Sequence, residues 1–195
     1  MNLDPNVLLA AYCQGIFPMS DHNGTIRWYD PDPRAIIPLD DGFHVPSRLG
    51  RTLRNGPFEV RVSTSFRAVM EACAEPGPDR EGTWITPALT NAYVALHEAG
   101  YAQSVEMWRD GALVGGLYGV AIGGLFAGES MFSRERDASK VALVHLVERL
   151  RRGGFVLLDT QFITDHLARF GAVEIRRAEY RRRLEKALRV EASFE

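Results

Sequence analysis

Apolar and polar positions in the middle of the chain predict a β-hairpin followed by a helix. Two apolar runs, residues 113–121 and 125–128, are separated by Ile122-Gly123-Gly124. Glycine reaches the positive φ values of a tight turn without steric cost, so we expect two antiparallel strands. From about Asp137 to Gly153, apolar residues recur three and four positions apart, which predicts an amphipathic helix.

The same periodicities predict an ordered series of elements from residue 58 onward. Read by type, the series is strand, helix, helix, three strands, helix, strand, helix, strand, helix. This mixture predicts an α+β domain built on a mixed sheet. Residues 1–55 contain a short helix ending at Gly15, an irregular proline-rich loop and a second helix within 43–56. We therefore expect a small N-terminal lobe over residues 1–55 and the sheet domain over residues 56–195.

Composition narrows the class of protein. The 195 residues are 46% hydrophobic, which is enough for one substantial core, and the net charge of −2 gives no global signal for polyanion binding. Arg48, Arg51 and Arg54 share one helix face, which is typical either of a solvated surface or of a ridge that contacts phosphates. With no membrane-length apolar run and two isolated cysteines, we expect a cytoplasmic protein without a metal site.

Few residues remain as candidates for chemistry. The chain contains no GxxxxGK or GxGxxG motif, its five histidines lack metal spacing, and Phe132 replaces the second glycine of a nucleophile elbow. Two acids, Glu129 and Asp159, lie at the ends of predicted strands, and Gln161 follows the second. They either bind a cationic ligand group beside apolar walls or serve the structure by capping backbone and pairing with arginines.

Six motifs resemble those of the leucyl/phenylalanyl-tRNA–protein transferases, in order and over nearly the whole chain. They are GIFPM from residue 15, WYDPDPRA from 28, GTWIT from 82, VGGLYGV from 114, GESMFSR from 128 and LDTQ from 158. The large domain of this family has a GNAT (acetyltransferase-like) fold. The resemblance therefore implies a GNAT-like sheet domain, which agrees with the predicted order of elements.

The resemblance implies transfer of leucine or phenylalanine, and less readily methionine, from aminoacyl-tRNA to the N-terminal arginine or lysine of a protein. The new N-terminal residue marks that protein for degradation by the N-end rule pathway. No cofactor or metal is implied, because the aminoacyl ester is already activated. No membrane partner is implied either.

The motif matches also imply residue roles. Glu129, Asp159 and Gln161 match catalytic and acceptor-binding positions, at which Glu129 and Gln161 orient the acceptor and Asp159 either takes a proton or positions the amine. Trp28 and Trp84 match positions that hold the 3′-terminal adenosine. The pocket for the transferred side chain is bordered by Leu117, Phe126 and Phe132. In this setting Arg48, Arg51 and Arg54 guide the acceptor stem of the tRNA.

Two alternatives stay open on the sequence. An acyl-CoA-dependent N-acetyltransferase would need a glycine-rich pyrophosphate loop before the central helix, whereas residues 133–139 contain no glycine. A non-catalytic tRNA-binding module is the other alternative, and the presence of Glu129, Asp159 and Gln161 counts against it.

Overall fold

A computed structural model describes residues 3–76 and 82–194 of the chain. Within these residues there are seven helices and nine strands. The helices are α1 Pro5–Cys13, α2 Ser47–Asn55, α3 Phe66–Ala74, α4 Pro87–Glu98, α5 Ala138–Arg152, α6 Asp165–Ala168 and α7 Arg177–Ala187. The strands are β1 Phe17–Ser20, β2 Ile26–Tyr29, β3 Arg34–Ile37, β4 Glu59–Val62, β5 Ala102–Arg109, β6 Ala112–Ile122, β7 Leu125–Ser133, β8 Leu157–Gln161 and β9 Val173–Ile175.

A seven-stranded mixed sheet forms the centre of the molecule, in the order β4-β5-β6-β7-β8-β3-β9. Its neighbours are antiparallel except β7 and β8, which are parallel and are joined by α5. Strands β1 and β2 form a separate antiparallel hairpin. The α+β class, the mixed sheet and the order of elements from β4 to α7 are therefore confirmed.

Helices cover both faces of the sheet. Successive strand residues point to opposite faces, and accordingly Leu117 of β6 packs in one apolar cluster with the side chains of α5, whereas Tyr118 packs in another with α1, α3 and α4. Helix α7 packs against β3, β7 and β8 through Tyr180 and Leu184. Among the described residues, no helix has both the length and the apolar character needed to cross a membrane.

Strand β3 lies inside the segment that the sequence predicts to be an irregular loop. All four of its residues are buried, and it pairs with β8 on one side and with β9 on the other. The strand is only four residues long and lies between Pro33 and Pro38, so it is too short to show a periodicity. The division at residue 55 stays a prediction, but the first 55 residues contribute a strand to the large sheet.

Candidate active site

The candidate site lies where the parallel strands β7 and β8 stop pairing. Their register runs from Leu125 opposite Leu157 to Ala127 opposite Asp159, and it ends there. Strand β7 continues beside β6 after a register irregularity, while β8 continues beside β3. A cavity of about 290 Å³ opens between the two strands beyond the point where their pairing stops, and both strands line it.

One wall of this cavity is apolar and the other is polar. The apolar wall is made by side chains from β6, β7, α5, β8 and α6, namely Leu117, Met131, Leu143, Leu146, Leu158 and Leu167. Glu129 of β7 and Thr160 and Gln161 of β8 supply its polar atoms. The volume is close to the lower limit of about 300 Å³ for small-molecule pockets, so the cavity suits one apolar side chain of moderate size.

Glu129 is held by a chain of two tyrosine hydroxyls. Tyr12 of α1 and Tyr93 of α4 lie with their hydroxyl oxygens 2.5 Å apart, and the Tyr93 hydroxyl donates to Oε2 of Glu129 at 3.2 Å. Burial raises the pKa of Glu129 to about 7, Asp159 adds to the rise, and the two tyrosines and Arg34 oppose it. Glu129 therefore exchanges its proton near neutral pH.

Asp159 has a different environment. Like Glu129, it lies in the middle of its strand and not at the strand end that the sequence predicts. Its side chain is fully buried, and both oxygens accept hydrogen bonds from Arg34, Nε to Oδ1 at 2.9 Å and Nη2 to Oδ2 at 2.6 Å. The Tyr180 hydroxyl donates to Oδ2 at 2.9 Å, and the backbone N–H of Gln161 donates to Oδ1 at 3.0 Å. Asp159 therefore resembles a structural anchor more than a free base.

Arg34 is enclosed as completely as its partner. It is 1% exposed, its guanidinium lies over the rings of Phe17 and Tyr180 at 4.7 and 4.3 Å, and it donates to the carbonyl of Gly15 at 2.8 Å. Arg34 thus ties the N-terminal segment, β3, β8 and α7 to one buried point.

Gln161 has an unusual backbone. Its φ is +61°, in the left-handed region, where a non-glycine residue costs on the order of 1–3 kcal/mol. The bond from its N–H to Asp159 helps to hold this conformation. Its side-chain Nε2 is buried and finds no hydrogen-bond partner in the described part of the chain, so it is available to a ligand in the cavity that Gln161 lines.

The structure brings only some of the remaining sequence-predicted residues together. Leu117 and Trp84 line the cavity beside Glu129 and Gln161. Trp28 is on β2, is 42% exposed and does not line the cavity. Phe126 is fully buried against Phe155 and Phe194, and Phe132 lines a neighbouring groove. These two phenylalanines are therefore not part of the cavity wall.

A second, polar cleft of about 780 Å³ lies beside α2. Arg48, Arg51 and Arg54 line it, together with Arg109 from the end of β5 and Arg136 from the loop before α5. A groove beside it shares Arg136 with the cleft and Met131 with the apolar cavity. The predicted arginine ridge therefore faces a surface that leads toward the candidate site.

Several site residues were not identified from the sequence. Arg34 occurs within the PDPRA motif, but nothing in the pattern indicates its burial. Tyr12 and Tyr93 occupy helix positions that are typical of core aromatic residues. In residues 3–76 and 82–194, no group of three or more histidine, cysteine, aspartate or glutamate side chains is arranged to hold a metal ion.

Comparison with known proteins places this geometry in a family. The profile described as leucyl/phenylalanyl-tRNA protein transferase matches residues 36–185, and that of its N-terminal domain matches residues 1–32. The chain is 62% identical over 192 residues to a leucyl/phenylalanyl-tRNA–protein transferase of Herpetosiphon aurantiacus, and this alignment covers 98% of each chain. It is 55% identical to one of Rhodopseudomonas palustris, over 98% of this chain and 86% of the relative. A solved structure, L-PGS from Bacillus licheniformis, is 16% identical in sequence, with a TM-score of 0.46. The comparison covers 84% of this chain and 61% of that one.

Proposed function

The chain belongs to the leucyl/phenylalanyl-tRNA protein transferase family, and we propose that it transfers leucine or phenylalanine, and less readily methionine, from aminoacyl-tRNA to the N-terminal arginine or lysine of a protein. One observation carries the proposal. A cavity of about 290 Å³ joins an apolar wall to the carboxylate of Glu129 on β7 and the amide of Gln161 on β8. Such a cavity suits an apolar aminoacyl group next to an amine.

The apolar wall accounts for the donor range. Leucine, phenylalanine and methionine side chains are unbranched at Cβ and apolar, whereas a charged side chain would lose its hydration among Leu143, Leu146 and Leu158 without gaining a partner. A wall of this kind distinguishes side chains that differ by one methylene only about 10- to 200-fold. We therefore expect graded rather than absolute selectivity among the three donors.

Glu129 and Gln161 are suited to the acceptor. The N-terminal arginine or lysine brings positive charge, which a carboxylate at the cavity stabilises, and the Gln161 amide can hold the backbone of that residue. The α-amine has an ordinary pKa of about 7.7–8.0, and the ester is activated, so holding the two in contact supplies much of the rate enhancement. Because both oxygens of Asp159 are engaged, we assign Asp159 the positioning role rather than that of a base.

The basic cleft is suited to the RNA. Its three arginines from α2 are in a position to contact phosphates of the acceptor stem independently of sequence. The other two, Arg109 and Arg136, pair with carboxylates that line the same cleft. Trp84 on the cavity wall is suited to hold the 3′-terminal adenosine, and the exposed Trp28 is the second candidate for that role.

We extend the proposal to the fold and the cellular role. The mixed sheet, with α5 crossing between its parallel pair, supports a GNAT-like domain. The transferred residue would mark the acceptor protein for N-end rule degradation in the cytoplasm.

Transfer of labelled leucine onto a protein that begins with arginine tests the activity. We expect label at the acceptor N-terminus that is lost after ribonuclease treatment of the charged tRNA. The matched control acceptor differs only in beginning with glycine. If the chain bound tRNA but transferred no label, the proposed transferase function would be wrong and a non-catalytic tRNA-binding module would be the better description.

A further inference from the structure

We propose that Glu129 carries the proton from the attacking amine to the departing ribose oxygen, so that the acid of β7, and not the acid of β8, is the proton carrier. This inference rests on the proposed aminoacyl transfer. It assigns the chemical step within that reaction to one side chain.

The first argument is the availability of oxygen atoms. Oε1 of Glu129 is buried and accepts no hydrogen bond within the described residues, while Glu129 lines the cavity. Asp159 does not line the cavity, and its two oxygens already accept four hydrogen bonds, from Arg34, Tyr180 and the Gln161 backbone. A base must reach the proton it removes, and of the two acids only Glu129 lines the cavity.

The second argument is the support of the carboxylate. The Tyr93 hydroxyl donates to Oε2, and Tyr12 contacts the Tyr93 hydroxyl, so the carboxyl group is held through Oε2 while Oε1 has no hydrogen-bond partner among the described residues. The ionisable groups that act on Glu129 come from four elements: Tyr12 of α1, Tyr93 of α4, Asp159 of β8 and Arg34 of β3.

The balance of these groups suits a carrier that both accepts and returns a proton. Burial and Asp159 raise the pKa of Glu129, Tyr12, Tyr93 and Arg34 lower it, and the resulting value is about 7. A group that titrates near the working pH is the most efficient in general acid–base catalysis.

The reaction balances as follows. The neutral α-amine of the acceptor attacks the ester carbonyl, and the new C–N bond forms as the carbonyl π pair moves to oxygen. Oε1 of Glu129 takes one proton from the nitrogen. The pair on the carbonyl oxygen then re-forms the C=O bond as the C–O bond to the ribose breaks. The electron pair of that broken bond stays on the ribose oxygen, and Glu129 returns the proton there. The products are an amide and a ribose hydroxyl, and Glu129 is again a carboxylate.

The test is the pH dependence of kcat/KM for the acceptor, measured with saturating aminoacyl-tRNA. Two groups must lose a proton in the wild type, Glu129 and the α-amine, so log kcat/KM should rise with a slope of about 2 below pH 7. For Glu129→Gln we expect a loss of about 10²- to 10⁴-fold and a slope of about 1. The control is Glu185→Gln, which alters an exposed surface pair with Arg189 and should keep the wild-type profile.

A second variant tests the same assignment by changing a residue that donates a hydrogen bond to Glu129. The hydrogen bond from Tyr93 lowers the pKa of Glu129, so Tyr93→Phe should move the acid limb to higher pH without changing its slope. Thermal melts check that each variant is folded.

The outcomes separate this inference from the proposed function. No transfer by the wild type would overturn both. Transfer with a slope of about 2 retained in folded Glu129→Gln, or an acid limb that stays in place in Tyr93→Phe, would overturn only the role of Glu129. An acceptor that begins with citrulline, which has no charge, tests whether Glu129 serves only to bind the charged side chain of the acceptor. If that contact were the only role of Glu129, the wild type would show a slope of about 2 with the arginine acceptor but about 1 with the citrulline acceptor, and this result would overturn the inference. A proton carrier gives a slope of about 2 with both acceptors.

Discussion

Replacing Arg34 by methionine should test how far the buried ion pair holds the site together. The substitution keeps an unbranched apolar stem but removes the charge and all of the guanidinium donors. Asp159 would then be left fully buried with hydrogen bonds from Tyr180 and Gln161 but without a counter-charge. Removing one partner of a buried pair typically costs about 3–5 kcal/mol.

The structure places Arg34→Met in the upper part of that range. Arg34 also loses its bond to the Gly15 carbonyl and its stacking between Phe17 and Tyr180. We therefore expect the free energy of unfolding to fall by about 4–5 kcal/mol, with part of the loss due to cation–π contacts worth about 2 kcal/mol when desolvated. The matched control is Arg189→Met, since Arg189 pairs with Glu185 where both side chains are more than two-thirds exposed (76% and 68%), and it should cost less than about 1 kcal/mol.

The measurement is urea unfolding of Arg34→Met, of the control Arg189→Met and of the double variant Arg34→Met/Asp159→Asn. The double variant removes the uncompensated charge, so it should recover part of the stability that Arg34→Met loses. A loss below about 1 kcal/mol for Arg34→Met, or a double variant less stable than Arg34→Met itself, would refute the reasoning.

Three further predictions follow from the site. Gln161→Gly should match or exceed the stability of Gln161→Ala in urea unfolding, because glycine adopts a φ of +61° without strain, and both should lose transfer activity; equal activity to wild type would refute a role for the amide. Arg51→Gln should reduce the steepness of log Kd for tRNA against log salt by about 0.9, and an unchanged slope in filter binding would show that Arg51 contacts no phosphate. The pKa of Glu129 is raised to about 7 in the folded state, so the folded protein keeps a proton that the unfolded chain releases. The free energy of unfolding of the wild type should therefore fall relative to that of Glu129→Gln by on the order of 3 kcal/mol as pH rises from about 4.5 to 7. Parallel curves of unfolding free energy against pH would contradict this.

The sequence was sufficient for elements whose side chains repeat with a clear period. The hairpin of β6 and β7 was predictable because two apolar runs flank a glycine turn, and helix α5 was predictable because its apolar positions recur three and four apart. Strand β3 was not, because four residues between prolines carry no period and its partners lie far along the chain. Short-range pattern therefore predicted the elements from β4 onward, but not the β1–β2 hairpin or β3, which lie in the segment predicted to be a loop.

The candidate site shows the same division. Glu129 and Asp159 look equivalent in the sequence, since both are acids at strand ends. Their environments differ because the surrounding residues come from other parts of the chain: two tyrosines from helices α1 and α4 hold Glu129, and an arginine from β3 pairs with Asp159. No local pattern indicates which acid will have a free oxygen, so the assignment depends on tertiary contacts.

The position of β3 also has a consequence for synthesis on the ribosome. The strand is synthesised before its neighbours: Asp159 of β8 follows Arg34 by 125 residues, and the Tyr180 that completes the enclosure of Arg34 follows it by 146 residues. Pairing over so long a separation is slow to form, because the intervening chain must close a large loop first. A translation product that stopped before β8 would therefore lack the partners of Arg34 and could not assemble the candidate site.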